Sequence, residues 1–395
     1  MKPLENLKIL DLTRVLAGPF CTMILSDLGA EVVKVEVPET GDDSRHFGPF
    51  KNGQSLYFLS INREKKSISI NLKTEKGKEL FKELVNKFDI VIENFRPGTM
   101  EKLGLGYDVL KQINPKLIYA ASSGYGHTGP SSKKASYDIL AQAMGGIMSI
   151  TGWPNTPPTR VGMSLGDITA SLYTAIGILA ALQYRNNTGL GQKVDVSMLD
   201  CQVSILENAI TRYQVDGQLP QPIGNRHPTI APFQAFKASD GYFVIGCGND
   251  SLWKKLCEAI IRQDLFDNEK FATNNLRTQN LSLLTAELDK TISQKTAAEW
   301  VKIIDEAGVP CGPINTIDKL FEEPQILARE MIGDVEDKKA GTIKIAGNPI
   351  KMTYLEEKGH RLPAPEIGEN NLEILSTLLG LSAKEIEELK ANGVL

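Results

Sequence analysis

The sequence predicts an α/β protein organised around a parallel sheet, and three observations carry that prediction. Short apolar runs recur through the first 125 residues. Helix-forming stretches separate them, the spacing that βαβ units need. Loops rich in Gly, Pro and Asn follow several runs on their carboxyl side, where sheets of this kind bind ligands.

Taken in order, Lys8–Leu12 reads as a buried strand, followed by a helix over about 19–28 that ends at Gly29. Glu31–Glu36 and Ser67–Leu72 are further strands. An amphipathic helix over Glu75–Phe88 leads to strand Ile90–Asn94, and a helix over Tyr107–Ile113 leads to strand Leu117–Ala121. The carboxyl ends carry Thr13–Pro19, Glu36, Asn94–Gly98 and Ser122–Gly126. A long apolar helix follows Asp167. Its length and its Thr169, Ser171, Thr174 and Gln183 make it a buried core helix rather than a membrane span. A turn over Asn186–Gln192 precedes a helix over Ser197–Tyr213. Residues 218–228 are rich in Pro and Gly and read as a linker. A hairpin turning at Asp240-Gly241 then opens a smaller α+β domain with helices over about 250–308. Gly341–Ala346 is a last strand, and helices occupy about 369–379 and 382–391.

Composition is that of a globular protein, 42% hydrophobic and 23% charged. A net charge of −4 without blocks of like charge argues against nucleic acid or a membrane surface as partner. The five cysteines, at 21, 201, 247, 257 and 311, form no CxxC pair, and the histidines at 46, 127, 227 and 360 share no ligand spacing. No metal site and no disulfide framework is expected, and a reducing cytoplasm fits best. The polar start Met1–Lys8 is not a signal peptide. His127, in a glycine loop, is expected to be solvated or locally hydrogen bonded.

Gly162–Asp167 sets one carboxylate where a glycine-flexed turn meets the long helix. Asp is a common helix N-cap, and the helix dipole there favours the ionised form. An ionised, partly desolvated Asp can also attack an activated acyl group. Gly246-Cys247-Gly248-Asn249 is either a mobile loop or an ordinary turn. Cys247 has no base nearby in sequence and reads as a small loop residue. A nicotinamide-dependent dehydrogenase is disfavoured, although Glu36 would suit a ribose. The first turn, Arg14–Pro19, lacks the G-x-G-x-x-G spacing.

The chain resembles the class III CoA-transferases, the family that includes formyl-CoA transferase, carnitine CoA-transferase and 2-methylacyl-CoA racemase. The carrying segments are Leu10–Pro19, Leu28–Glu36, Asn62-Arg63 with Lys65–Ser67, Glu93–Gly98, Gly162–Asp167, Thr188–Ser197, Val309–Pro313 and Pro363–Gly368. The resemblance implies a Rossmann-like large domain whose parallel sheet is formed by both chain ends, a smaller domain between, and an interlocked homodimer. On that basis residues 1–217 and 325–395 form the large CoA-binding domain and 229–320 the small one, with linkers 218–228 and 321–324.

The resemblance also implies that Asp167 forms an aspartyl-CoA thioester while CoA moves from an acyl-CoA donor to a carboxylic acid. Arg14, Val15, Ala17, Lys73, Asn94, Phe95, Arg96 and Lys102 would bind CoA. Tyr137, Asp138, Gly246, Cys247 and Gly248 would line the substrate pocket. No cofactor beyond CoA as substrate is implied. Where family members often carry an arginine, this chain has Val37, and Arg45 is the candidate replacement. The racemase branch needs two acid/base groups, a His-Asp pair and a later Asp. Tyr137-Asp138 stands where that histidine would be, which favours transfer over α-proton exchange. A CoA-binding protein without turnover is a further alternative. Oxalate-using members have a glycine-richer loop than 246–249, so oxalate is not the first choice of acid. Small dicarboxylates and branched short-chain acids stay open, as does transfer within one diacid.

Overall fold

The computed structural model describes residues 2–355 and 360–395. It divides into two compact units. One comprises Met1–Ile147, Arg160–Thr211 and Pro324–Leu395, the other Met148–Thr159 and Arg212–Glu323.

The first unit holds six parallel strands: β1 (Lys8–Asp11), β2 (Glu31–Glu36), β3 (Lys66–Ser69), β4 (Ile90–Glu93), β5 (Ile118–Ser123) and β6 (Lys193–Ser197). Their order is β3-β2-β1-β4-β5-β6. The direction of winding reverses between β1 and β4, and the carboxyl ends of those two strands therefore flank a crevice. The principal helices of this unit are α1 (Ala17–Asp27), α2 (Leu56–Asn62), α3 (Glu75–Val85), α4 (Asp138–Met144), α5 (Leu165–Thr188) and α6 (Met198–Ser204).

Helix α3 shows how sequence becomes packing. Thr74 caps it by accepting from the Gly77 N–H. Leu80, Phe81, Leu84 and Val85 recur on one face and are buried against one side of the sheet. Each such side chain contributes about 1.5–3 kcal/mol. The sheet's other face is covered by Cys21 and Leu25 of α1 and by Ala175, Ile178 and Ala181 of α5.

Four expectations need correction. The sheet is not built by both chain ends, because all six strands lie within Lys8–Ser197. The C-terminal stretch instead adds helices Asn371–Leu379 and Ala383–Ala391 to the core beside α3. It also forms a separate sheet of Ile332–Asp337, Gly341–Ala346 and His360–Arg361. Helix α5 is buried on one face only, and Leu172 and Ile176 on its other face are 45% and 60% exposed. The expected helix over Ser197–Tyr213 is two, α6 and Ala209–Asp216, interrupted where Glu207 takes a left-handed φ of 55°. Lys193–Ser197, not read as a strand, is edge strand β6.

The second unit has an antiparallel sheet of Phe233–Lys237, Tyr242–Gly246 and Cys311–Pro313. Helices pack on it around Trp253, Leu256, Phe271, Leu284 and Trp300. Arg277 is fully buried there. It pairs with Asp250 at 2.6 Å, donates to the carbonyls of Ala231 and Phe271, and stacks on Trp253. A guanidinium buried this deeply needs acceptors of this kind, and removing one partner would leave an uncompensated charge and destabilise the unit.

Candidate active site

The crevice is built first from the turn after β1. Arg14 donates its N–H to Asn94 Oδ1 at 2.9 Å, and Asn94 Nδ2 donates back to the Arg14 carbonyl at 2.8 Å. Asn94, on the far side of the reversal, thus spends its amide on main chain rather than on a ligand. The Arg14 guanidinium lies 5.3 Å from the centre of the Phe95 ring and pairs with Asp43 at 3.1 Å in an exposed position. Phe95 is held by its own N–H, which donates to Glu93 Oε2 at 2.7 Å. Burial raises the Glu93 carboxyl to about 7.

Asp167 enters from α5. Its helix starts at Leu165 with Ser164 as N-cap, so Asp167 lies in the first turn and is not the cap. Among the described residues no donor reaches its carboxylate. Burial raises its pKa to about 7, and the like charge of Asp138 adds to the shift. This corrects the expectation that the helix dipole favours the ionised form, because desolvation outweighs it. Asp138 accepts from the Gly166 N–H at 2.7 Å, Gln142 Nε2 at 2.9 Å and Arg160 Nη2 at 3.2 Å. Its carboxylate therefore fixes the start of α5 one residue before Asp167. Gly166 lets the helix start pack closely there: a Cβ would stand 3.1 Å from Asp138 Oδ1 and 3.3 Å from Ala141 Cβ, so either neighbour would have to give by a few tenths of an ångström.

Ser171 joins the two halves. Its Oγ lies within donating distance of the Asp167 carbonyl, 2.7 Å away, and of the Ala17 carbonyl at 2.6 Å. One buried hydroxyl ties the Asp167 turn to the start of α1 and so to the turn at Arg14.

The family model for CoA-transferase family III matches residues 4–371. The chain belongs to that family. It is 44% identical to the acetyl-CoA:oxalate CoA-transferase of Acetobacter aceti, over 97% of each chain. It is 40% identical to the succinyl-CoA:glutarate CoA-transferase of Homo sapiens, over all of this chain and 90% of that one. A CaiB/BaiF family protein from Brucella suis has a crystal structure that matches with a TM-score of 0.83 and 41% identity, covering 95% of this chain and 99% of that one. The protein is thus an enzyme of the CoA-transferase class.

Within this family III enzyme the other expected residues fall into three groups. Val15 lies in the turn with Arg14, and Ala17, buried, opens α1 just after it. Lys73 and Arg96 are exposed on the loops beyond β3 and β4, and Lys102 is exposed at the end of the short helix Thr99–Lys102, with no ion pair among the described residues. Tyr137 precedes α4 and is 76% exposed. Gly246, Cys247 and Gly248 belong to the second unit, where Cys247 is buried and its thiol is pushed up by burial to about 12. That fits a packed residue rather than a nucleophile.

Geometry bears on three further readings. Arg45 cannot stand in at Val37, because its guanidinium holds both oxygens of Glu36, the Pro365 carbonyl and the Phe58 ring. Glu36 is likewise occupied, by Arg45, Ser67 Oγ and the Asp42 N–H, and is not free for a ribose. His127 is largely buried rather than solvated, with Nδ1 2.9 Å from Lys193 Nζ. Sequence reasoning missed Arg160, Gln142 and Ser171. Arg160 was open to notice as a lone cation seven residues before Asp167, whereas Ser171 gives no local signal.

Proposed function

We propose that this enzyme moves CoA from an acyl-CoA to a small carboxylic acid, with Asp167 as the covalent nucleophile. The observation that carries the reading is a half-buried carboxylate with no donor among the described residues, tied through Ser171 to Ala17 at the start of α1, just beyond the turn at Arg14. A free carboxylate oxygen attacks the thioester carbonyl, the C–S bond breaks, and CoA leaves as thiolate with a mixed anhydride on Asp167. The thiolate attacks the aspartyl carbonyl, releasing the donor acid as carboxylate and leaving an aspartyl-CoA thioester. The acceptor carboxylate attacks that carbonyl and expels the thiolate. The thiolate then takes the acceptor acyl group, which returns Asp167 to its carboxylate. Charge balances at each step and no proton is consumed, so the chemistry needs no cofactor beyond CoA.

In this reading Arg14, Val15, Ala17 and Phe95 line the CoA, with Asn94 holding the turn, and the exposed Lys73, Arg96 and Lys102 meet its phosphates. Relatives are named for oxalate, glutarate and mesaconate, all dicarboxylic acids. A dicarboxylate acceptor suits Arg160, which is partly exposed and spends only one donor on Asp138. One relative's name also removes the ground for setting oxalate aside. A homodimer in the cytoplasm completes the proposal. The apolar face of α5, with Leu172, Ile176 and Leu179, and the neighbouring Ile139 and Met144 are exposed in the single chain, and a second copy would cover them.

The test is mass spectrometry of the Asp167 peptide after incubation with succinyl-CoA or acetyl-CoA in heavy water. A CoA adduct on Asp167, lost in Asp167→Ala while CoA binding persists, is expected. Transfer by Asp167→Ala would overturn the nucleophile. Deuterium in the α-position of the thioester without an adduct would point to proton exchange instead.

A further inference from the structure

The turn after β1 is held almost entirely by side chains. The Thr13 N–H donates to Asp11 Oδ1 at 2.9 Å, and Lys34 Nζ donates to the Thr13 carbonyl at 2.7 Å. Asn94 takes both main-chain groups of Arg14. The Val15 N–H donates to Asp42 Oδ1 at 3.1 Å. Five consecutive main-chain groups thus have side-chain partners drawn from β1, β2, and the loops after β2 and β4.

Val15 has a φ of 67°. A β-branched residue in the left-handed region is a real outlier, and it persists only where its surroundings impose it. Lys34 and Asp42 impose it here. They pair with each other at 2.7 Å with side chains 1% and 0% exposed. Lys34 is set in place by the register that aligns it with Asp11. Asp42 is fixed by the Ser44 N–H and hydroxyl. A buried ion pair is no better for stability than a well-packed apolar pair. An apolar pair, however, could not grip a carbonyl and an N–H two residues apart.

We propose that Lys34 and Asp42 are positioning residues for acyl-CoA binding, a buried pair that clamps the Thr13 carbonyl and the Val15 N–H and holds the turn in its binding shape. The proposal rests on the reading that Arg14, Val15 and Ala17 line the CoA. Its consequence is preorganisation: the turn meets its ligand already ordered, and affinity is lost when the clamp goes.

The experiment is a cycle on the full-length enzyme. One arm replaces the pair by Lys34→Met with Asp42→Asn, which leaves no uncompensated buried charge. The other is Val15→Gly, since glycine takes this φ without strain. The pair variant should raise KM for acyl-CoA about tenfold, with kcat and the acceptor KM within about twofold. In the Val15→Gly background the same replacement should raise it less than about threefold, the non-additivity of residues acting through one another. Additive effects, or a lowered Tm with unchanged KM, would overturn the proposal. If the pair variant does not fold, Asp42→Asn alone is put through the same cycle with the same two outcomes. Arg14→Ala is measured beside them. An unchanged KM for acyl-CoA in that variant would sink the CoA reading itself, independently of the cycle.

Discussion

Ser171 Oγ and the Ala17 carbonyl oxygen lie 2.6 Å apart although 154 residues separate them in the chain. This bond sets the nucleophile's helix against the helix that opens the CoA turn. Ser171→Ala removes the donor and leaves a buried carbonyl without it. We expect about 1–2 kcal/mol lower stability by chemical denaturation and about a tenfold fall in kcat/KM. Wild-type kcat/KM in a folded Ser171→Ala enzyme would refute the coupling.

Asp167 must be ionised to attack. With its pKa raised to about 7, first by burial and then by Asp138, kcat/KM should climb with pH and level off above a midpoint near 7. Asp138→Asn keeps an acceptor for the Gly166 N–H but removes the like charge. The midpoint should move to lower pH, by less than the whole shift because burial stays. A pH–rate profile for both enzymes decides this, and an unmoved midpoint would exclude Asp138 as a cause.

The same shift bears on stability. A carboxyl whose folded pKa lies above its unfolded value of 3.8 contributes stability fully below pH 4, and loses it as pH rises through about 7. Asp167→Asn cannot ionise and escapes that loss. Its Tm should match wild type near pH 4 and exceed it at pH 8, while transfer is abolished. Thermal melts at the two pH values check the sign.

Gly191 precedes β6 where a Cβ would stand 2.0 Å from the Leu117 carbonyl oxygen. Backbone must shift to admit it. Gly191→Ala should therefore destabilise the first unit by about 2 kcal/mol or more, seen in a denaturant midpoint. A neutral substitution would mean that the β5–β6 edge yields easily.

Most of the sheet was legible because strands buried on both faces read as apolar runs, as Val32–Val35 and Ile90–Ile92 do around the single Lys34. The break between α6 and the next helix was not, because Glu207 carries no glycine signal for its left-handed φ. Asp167 was visible through its motif. Its environment was not, since Asp138 holds the neighbouring Gly166 N–H across 28 residues, and Ser171 sits between the Asp167 carbonyl and an Ala17 carbonyl 154 residues away. The roles of Lys34 and Asp42 were hidden for a related reason. In sequence they look like ordinary surface charges, and only the register of β1 with β2 brings Lys34 beneath the turn.

The outer edge of β3 is closed by the far end of the chain. The side-chain oxygens of Asn370 and Asn371, at the start of the helix Asn371–Leu379, accept from the N–H groups of Ser67 and Ser69. During synthesis, all six strands leave the ribosome long before these two asparagines do. Until then β3 is an unguarded edge, open to pairing with another nascent chain. A truncation ahead of Asn370 would leave those N–H groups bare in the finished protein, the kind of strand edge that templates pairing with another chain.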